Sequence, residues 1–206
     1  MVNKGPISSA VLEVVSLDAD RTIERITRGY DLMCVVSGSC RYEDGDGVHE
    51  IIRNSIHILT PGSRVMEYRV DNSGRFEQVL LSIDRDALFG RADVRSRDEE
   101  RFEQAILRGL SSNISIEELA EICCHSVSTF KRRFRERYGI SPHRWLLSCR
   151  LDIAERILGE TRLPTNVIAE LCGFINVSHF IATFRRRFGC TPSRTLRRRH
   201  SLCGAL

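Results

Sequence analysis

Between residues 9 and 83 apolar and polar positions alternate in short runs: AVLEVVSL, DLMCVVSG, CRYEDGDGVHEII, SIHIL, SRVMEYRV and RFEQVLLSI. The runs are rich in Val, Ile, Leu and Tyr, and SGS, DGDG, TPGS and DNSG punctuate them. A period near two, bounded by turn residues, predicts β-strands. DGDG at 44–47 predicts a tight hairpin. Several such strands in sequence predict a small β-barrel or sandwich. Residues 84–98 (DRDALFGRADVRSRD) are polar and charged around one apolar patch. They read as a linker with at most a helical turn.

From about residue 99 the period changes. EERFEQAILRGL places Phe102, Ile106 and Leu110 four apart, the spacing of one helix face. Ser115 with Glu118 forms a capping-box signature ahead of the stripe Ile116, Leu119, Ala120 and Cys123. After a turn at 124–127, STFKRRFRERYG puts Phe130, Phe134 and Tyr138 on one face and basic residues elsewhere, with Gly139 as the stop. Ser141-Pro142 then starts a helix carrying Leu146, Cys149, Ile153 and Ile157, which Gly159 is expected to end. Thr165 opens a short helix with Ile168, Ala169 and Cys172 inward. SHFIATFRRRFG repeats the aromatic face as Phe180, Phe184 and Phe188, and Thr191-Pro192 begins a last basic helix.

This is a duplication. FRERYGISP at 134–142 is rewritten as FRRRFGCTP at 184–192, and Phe130, Phe134, Tyr138, Gly139 and Pro142 recur fifty residues on. Leu119-Ala120 recurs as Ile168-Ala169 at an offset of 49, so the second turn holds one extra residue. The repeat predicts two helix-turn-helix units joined by a linker helix, within an α+β chain. In such a unit the first helix supports a second that enters the major groove. Ala120 and Ala169 are small enough for the close helix crossing. The turn favours a residue that tolerates positive φ; Gly173 suits it, and Cys124 at the matching place does not. A linker helix of about 25 Å is a suitable strut for two half-sites one helical turn (~34 Å) apart.

Charge adds to the picture. Residues 1–95 hold 12 Lys and Arg against 15 Asp and Glu, a net of −3; residues 96–206 hold 19 against 12, a net of +7. A basic half beside a mildly acidic one suggests a nucleic-acid-binding module plus something else. The eight cysteines form no CxxC pair and no zinc spacing with histidine, so they read as small buried hydrophobes in a reducing cytosol. No apolar run approaches the ~20 residues of a membrane span. The N-terminal stretch does not read as a signal peptide, so a cytoplasmic protein is expected.

At the duplicated helices the chain resembles the AraC/XylS family of bacterial transcription regulators. The likeness covers roughly 99–199 and is most specific in IAELCGFINVSHFIATFRRRFGCTPS, with IEELAEICCHSVSTFKRRFRERYGISPHRWLLSCRLDIAERIL close behind. It implies a division into residues 1–95, a cupin-like regulatory or dimerisation domain, and 96–206, the double helix-turn-helix. It implies that Ser128, Thr129, Lys131 and Arg132 face the groove in the first unit, and Asn176, Val177, Ser178, His179, Ile181 and Ala182 in the second. Arg133, Arg185 and Arg186 stand where the family places cations along the DNA backbone. Ala182 departs from the arginine common there, so base-specific contacts are expected to rest more on Lys131 and Arg132, with the second unit making methyl contacts or anchoring. Trp145, at the start of the linker helix, is expected in the core.

The resemblance further implies double-stranded promoter DNA and RNA polymerase as partners, activation rather than repression, and a small-molecule effector or a homodimer through the front domain. A metal-binding cupin needs a close His-x-His with a following Glu; this chain has His49 and His57, eight apart, with Glu50 adjacent. No metal or cofactor is expected, and the histidines read as surface or hairpin residues. The competing readings are a metal-dependent cupin enzyme with a helical appendage, against which the missing ligand pattern and catalytic constellation argue, and a basic protein binding DNA without sequence preference.

Overall fold

The computed structural model describes residues 10–53, 55–90, 96–161 and 163–196. Eight strands come first: β1 (Val11–Leu17), β2 (Arg21–Ile26), β3 (Tyr30–Ser37), β4 (Ser39–Asp44), β5 (Gly47–Ile52), β6 (Ser55–Leu59), β7 (Arg64–Arg69) and β8 (Phe76–Ile83). They form two antiparallel four-stranded sheets with the orders β1-β8-β3-β6 and β2-β7-β4-β5. A closed barrel is thus not what forms. The β4–β5 hairpin stays within one sheet, and the other connections pass from one sheet to the other, which builds a sandwich. Gly38 makes the tightest of these passages, at φ 79°, and a Cβ there would stand 2.1 Å from the Arg69 carbonyl oxygen. The predicted turn at 44–47 is present, with Asp44 paired to Gly47.

Strands β3 and β8 are apolar on both faces because both faces are covered. Met33, Val35, Phe76 and Leu80 pack into the sandwich with Cys40, Tyr42, Ile51, Val65 and Tyr68 of the other sheet. Leu32, Cys34, Val79, Leu81 and Ile83 point the other way and join the core of the helical region. The layers are therefore sheet, sheet, helices. Strand β2, RTIERI, is absent from the sequence prediction. It is an edge strand with three charged residues and a bulge between Thr22 and Arg25, so little apolar alternation marks it.

The helices are α1 (Arg85–Phe89), α2 (Arg97–Ser111), α3 (Ile116–Ile122), α4 (Val127–Tyr138), α5 (Pro142–Glu160), α6 (Thr165–Leu171) and α7 (Val177–Phe188). Ser115 and Glu118 make the expected capping box, and Ser96 with Glu99 makes a second at the start of α2. The α5 helix runs through Gly159 instead of stopping there. It ends at Thr161, whose amide and hydroxyl both donate to the Ile157 carbonyl, the hydroxyl at 2.9 Å. Residues 192–196 are helical, as expected after Thr191-Pro192. The remainder of that basic segment, the tail at 200–206 and Cys203 lie outside the described residues.

Cys34, Cys40, Cys123, Cys149 and Cys172 are buried, and Cys124 is exposed. Burial pushes the Cys34 and Cys40 thiols up to about 12 and Cys123 up to about 11, which suits packing rather than reactivity. Trp145 is in the core, edge-on to Phe134 at 5.6 Å. His49 belongs to the β4–β5 hairpin, bonded to Asp44 at 2.8 Å and stacked on Tyr42. His57 is half-buried edge-on to the same ring, and burial, then His49, keeps its pKa below the ordinary value. Among the described residues no group of three or more His, Cys, Asp or Glu is arranged to hold a metal ion.

Candidate nucleic-acid interface

Two helix pairs, α3 with α4 and α6 with α7, are built alike. In each, a short helix ends in a two-bond turn. Cys124 N–H donates to the Glu121 carbonyl and His125 N–H to the Ala120 carbonyl, at 2.8 and 2.9 Å. Gly173 N–H donates to Glu170 and Phe174 N–H to Ala169, both at 2.9 Å. This is the Schellman pattern, which requires a left-handed residue just past the helix end. Gly173 meets that need at φ 74°, and Cys124 meets it at φ 52° despite its side chain. The sequence suggests a poorer first turn; the structure makes the same turn and places the strain on Cys124.

The second helix of each pair is then capped by a polar side chain. Ser126 Oγ accepts from the Thr129 amide at 3.2 Å, and Asn176 Oδ1 accepts from the His179 amide at 3.1 Å. Both helices end on left-handed glycines, Gly139 and Gly189. Phe130 and Phe134 are fully buried, as are Phe180 and Phe184. Burying a large apolar side chain contributes about 1.5–3 kcal/mol, so these aromatics fix which face of each helix turns outward. In the first pair they form a cluster with Phe102 of α2 and Trp145 of α5.

What faces outward can now be stated position by position. Ser128, Lys131, Arg132, Asn176, Ser178, His179, Ala182, Arg185 and Arg186 are exposed. Thr129 is half-buried, and its hydroxyl lies 2.9 Å from the Ser126 cap. Val177 and Ile181 are half-buried against the core. Arg132 forms an exposed i,i+4 pair with Glu136 at 3.2 Å, the kind worth a few tenths of a kcal/mol and easily exchanged. Arg133 stands apart: its side chain is 27% exposed, it lies 2.5 Å from Asp98, it donates to His125, and it covers the Phe102 ring at 5.4 Å.

Two positions escaped the sequence reading. Ile175, the extra residue of the second turn, is 89% exposed immediately before the α7 cap. Arg135 is exposed on the same face of α4 as Ser128, Lys131 and Arg132. The fifty-residue offset was the available signal for Arg135, because it aligns this residue with Arg185.

The arginines that close the two helices are used internally. Arg137 donates to the Phe89 carbonyl and Tyr138 hydroxyl to the Leu88 carbonyl at 3.4 Å, tying the end of α4 to α1. Arg187 instead grips Asp152 of α5 at 2.6 and 3.1 Å. Burial raises the Asp152 pKa, and the Arg187 charge acts against that rise. Arg150 of α5 reaches the end of α2, donating to the Gly109 and Ser112 carbonyls at 2.9 and 2.8 Å, and its guanidinium lies beneath Gly173. Both outward faces are thus held in fixed relation to one frame of α2 and α5. Each presents small polar residues and cations at the spacing of a helix face, the chemistry that meets base edges and phosphates.

Residues 119–198 match the protein-family description "Helix-turn-helix domain". The chain is similar to a solved structure described as a probable AraC family transcriptional regulator from Rhodopseudomonas palustris. The two are 30% identical, with 50% of this chain and 98% of that one covered, at a TM-score of 0.42. It is 38% identical over 85 residues to the probable transcriptional regulator LumQ of Photobacterium leiognathi, covering 41% of this chain and 34% of LumQ. It is 33% identical over 124 residues to the virulence regulon transcriptional activator VirF of Yersinia enterocolitica, covering 58% of this chain and 46% of VirF. The chain thus spans between a third and a half of the length of these curated relatives. The helix-turn-helix match falls on the duplicated helices whose outward faces carry the cations, and this part of the chain is a helix-turn-helix domain of the AraC/XylS type.

Proposed function

We propose that this protein is a sequence-specific regulator of transcription that binds double-stranded DNA through α4 and α7, each lying in one of two successive major grooves. The observation that carries the reading is the repeated outward face. Two helices fifty residues apart bury the same aromatic stripe and turn outward faces that share a serine (Ser128, Ser178) and an arginine (Arg135, Arg185) in register, with Lys131 and Arg132 added on the first and Arg186 on the second. In this reading Lys131 and Arg132 make the base contacts. Ser128, Thr129, Asn176, Ser178, His179 and Ala182 line the grooves, and Arg185 and Arg186 lie along the backbone. The relatives named as transcriptional activators favour activation as the outcome, and RNA polymerase is the partner this reading adds.

Residues 1–95 serve effector sensing or dimerisation in this reading, and 96–206 bind DNA. The strand order supports a cupin-like front domain, because eight strands in two such sheets make a jelly roll, the architecture to which cupins belong. No catalytic role is assigned. Among the described residues no helix is long and apolar enough to cross a membrane, which is consistent with the cytoplasmic setting where a regulator meets DNA.

Selection of bound duplexes from a random pool, using the full chain near physiological salt, tests the proposal. Two blocks of preferred bases about one helical turn apart are expected. A single block would restrict base reading to one helix. Retention of DNA without enrichment would favour the non-specific alternative.

A further inference from the structure

We infer that Arg135, in register with Arg185, is the backbone-contacting cation of the first helix pair, and that Arg133 is a positioning residue that sets α4 against α2. This rests on the DNA-binding reading above. Arg135 lies seven residues after Ser128, and Arg185 seven after Ser178, so each sits two turns along its own outward face. Both are exposed. Neither side chain is hydrogen-bonded or ion-paired among the described residues, so either can give its five donors to phosphate oxygens without breaking anything.

Arg133 is in the opposite position. Asp98 lies in the first turn of α2 and Phe102 one turn further on, and Arg133 engages both while also donating to His125. Turning it toward a phosphate would break its bonds to Asp98 and His125, leave those two only each other at 3.4 Å, and uncover the Phe102 ring. The repeat gives an independent check. Fifty residues on, the place of Arg133 is taken by Thr183, which is 4% exposed. A position buried in one repeat, and turned onto the neighbouring helix in the other, does not face a groove. Arg133 instead spans two turns of α2 and fixes the tilt at which α4 presents Lys131, Arg132 and Arg135.

The test uses the full chain and two labelled duplexes: a mixed-sequence one and one recovered by the pool selection. Affinity is followed by anisotropy across a salt series, and thermal midpoints are measured in parallel. Loss of one phosphate contact flattens the slope of log K against log salt by about 0.9. Arg135→Gln is expected to flatten it by that amount, to weaken both duplexes by the same factor, and to leave the midpoint unchanged. Arg133→Gln is expected to lower the midpoint, keep the slope, and shrink the preference for the selected duplex; Arg133→Lys, which keeps the charge opposite Asp98, restores part of that preference. An Arg135→Gln slope equal to that of wild type, or a flattened Arg133→Gln slope, overturns the assignment. A wild-type chain that binds neither duplex removes the DNA-binding reading itself and the inference with it.

Discussion

Cys124 and Gly173 hold the same place in the same turn, and exchanging their side chains measures what that place demands. A residue with a Cβ in the left-handed region costs roughly 1–2 kcal/mol relative to glycine. Glycine returns part of that by loosening the unfolded chain, about 0.4–1 kcal/mol. Trimming Cys124 to glycine removes its sulfur from Arg101 Nη1, a 3.5 Å approach at an exposed site that adds little. Cys124→Gly is therefore expected to stabilise by about 0.5–1 kcal/mol. In Gly173→Ala the new Cβ would meet the Arg150 guanidinium carbon at 3.4 Å, an ordinary contact, so strain alone acts and the loss is of the same size. For a chain of this length 1 kcal/mol moves the midpoint by about 2–4 °C. Thermal unfolding under reducing conditions, checked by urea denaturation, is the assay. A lowered midpoint for Cys124→Gly, or a raised one for Gly173→Ala, would refute the reasoning about the turn.

Other outcomes follow from single contacts. Gly38→Ala should cost about 3 kcal/mol or more, because its Cβ would fall 2.1 Å from a backbone oxygen that cannot move aside; a midpoint within a few degrees of wild type would contradict this. Arg150→Met should cost about 2–3 kcal/mol by urea denaturation, since the Gly109 and Ser112 carbonyls lose their donor; a loss below ~0.5 kcal/mol would show that water replaces the guanidinium. Hydrogen bonds from Ser37, then from Ser73 and the Arg75 amide, hold the Asp71 carboxyl well below the usual carboxylate range. A depressed folded-state value means stability present above the unfolded value near 4 and lost as the pH falls below it. The midpoint gap between wild type and Asp71→Asn should thus narrow on acidification from about pH 6 to about pH 3; a gap that widens would reverse the sign. On a selected duplex Arg132→Ala should cost ~1–3 kcal/mol and relax preference at one base, whereas Arg186→Ala should weaken all sequences alike; identical behaviour would erase the distinction between reading and anchoring.

Much of this architecture is legible in the letters because local signals agree. The aromatic stripes, the caps at Ser115, Gly139 and Gly189, and the Pro142 start each come from a rule that tertiary packing did not override. What is missed has physical reasons. RTIERI forms a strand by pairing at an edge, where charge is tolerated, so its composition hides it. Ser96 and Glu99 lie inside a run of charges that masks their capping role. Gly159 is read as a stop, although nothing requires a left-handed residue there and the ordinary helical conformation is open to it. Arg133 and Arg135 are both arginines on a basic helix, and only their neighbours separate one that is spoken for from one that is free. The signal for double burial was present: LMCVV at 32–36 and VLL at 79–81 are unbroken apolar runs rather than alternating ones, as strands covered on both faces require.

Those two runs, β3 and β8, act as a shared wall between two rooms. Successive side chains go to opposite cores, Met33 and Val35 to one and Leu32 and Cys34 to the other. Slipping β3 by a single residue would exchange the two sets, sending each into a space shaped for its neighbour. The wall cannot slide. Any rearrangement that keeps this register moves the sheet toward the helices as one plate. Among the parts resting on that plate, α1 leaves β8 directly and holds the end of α4 through Arg137 and Tyr138.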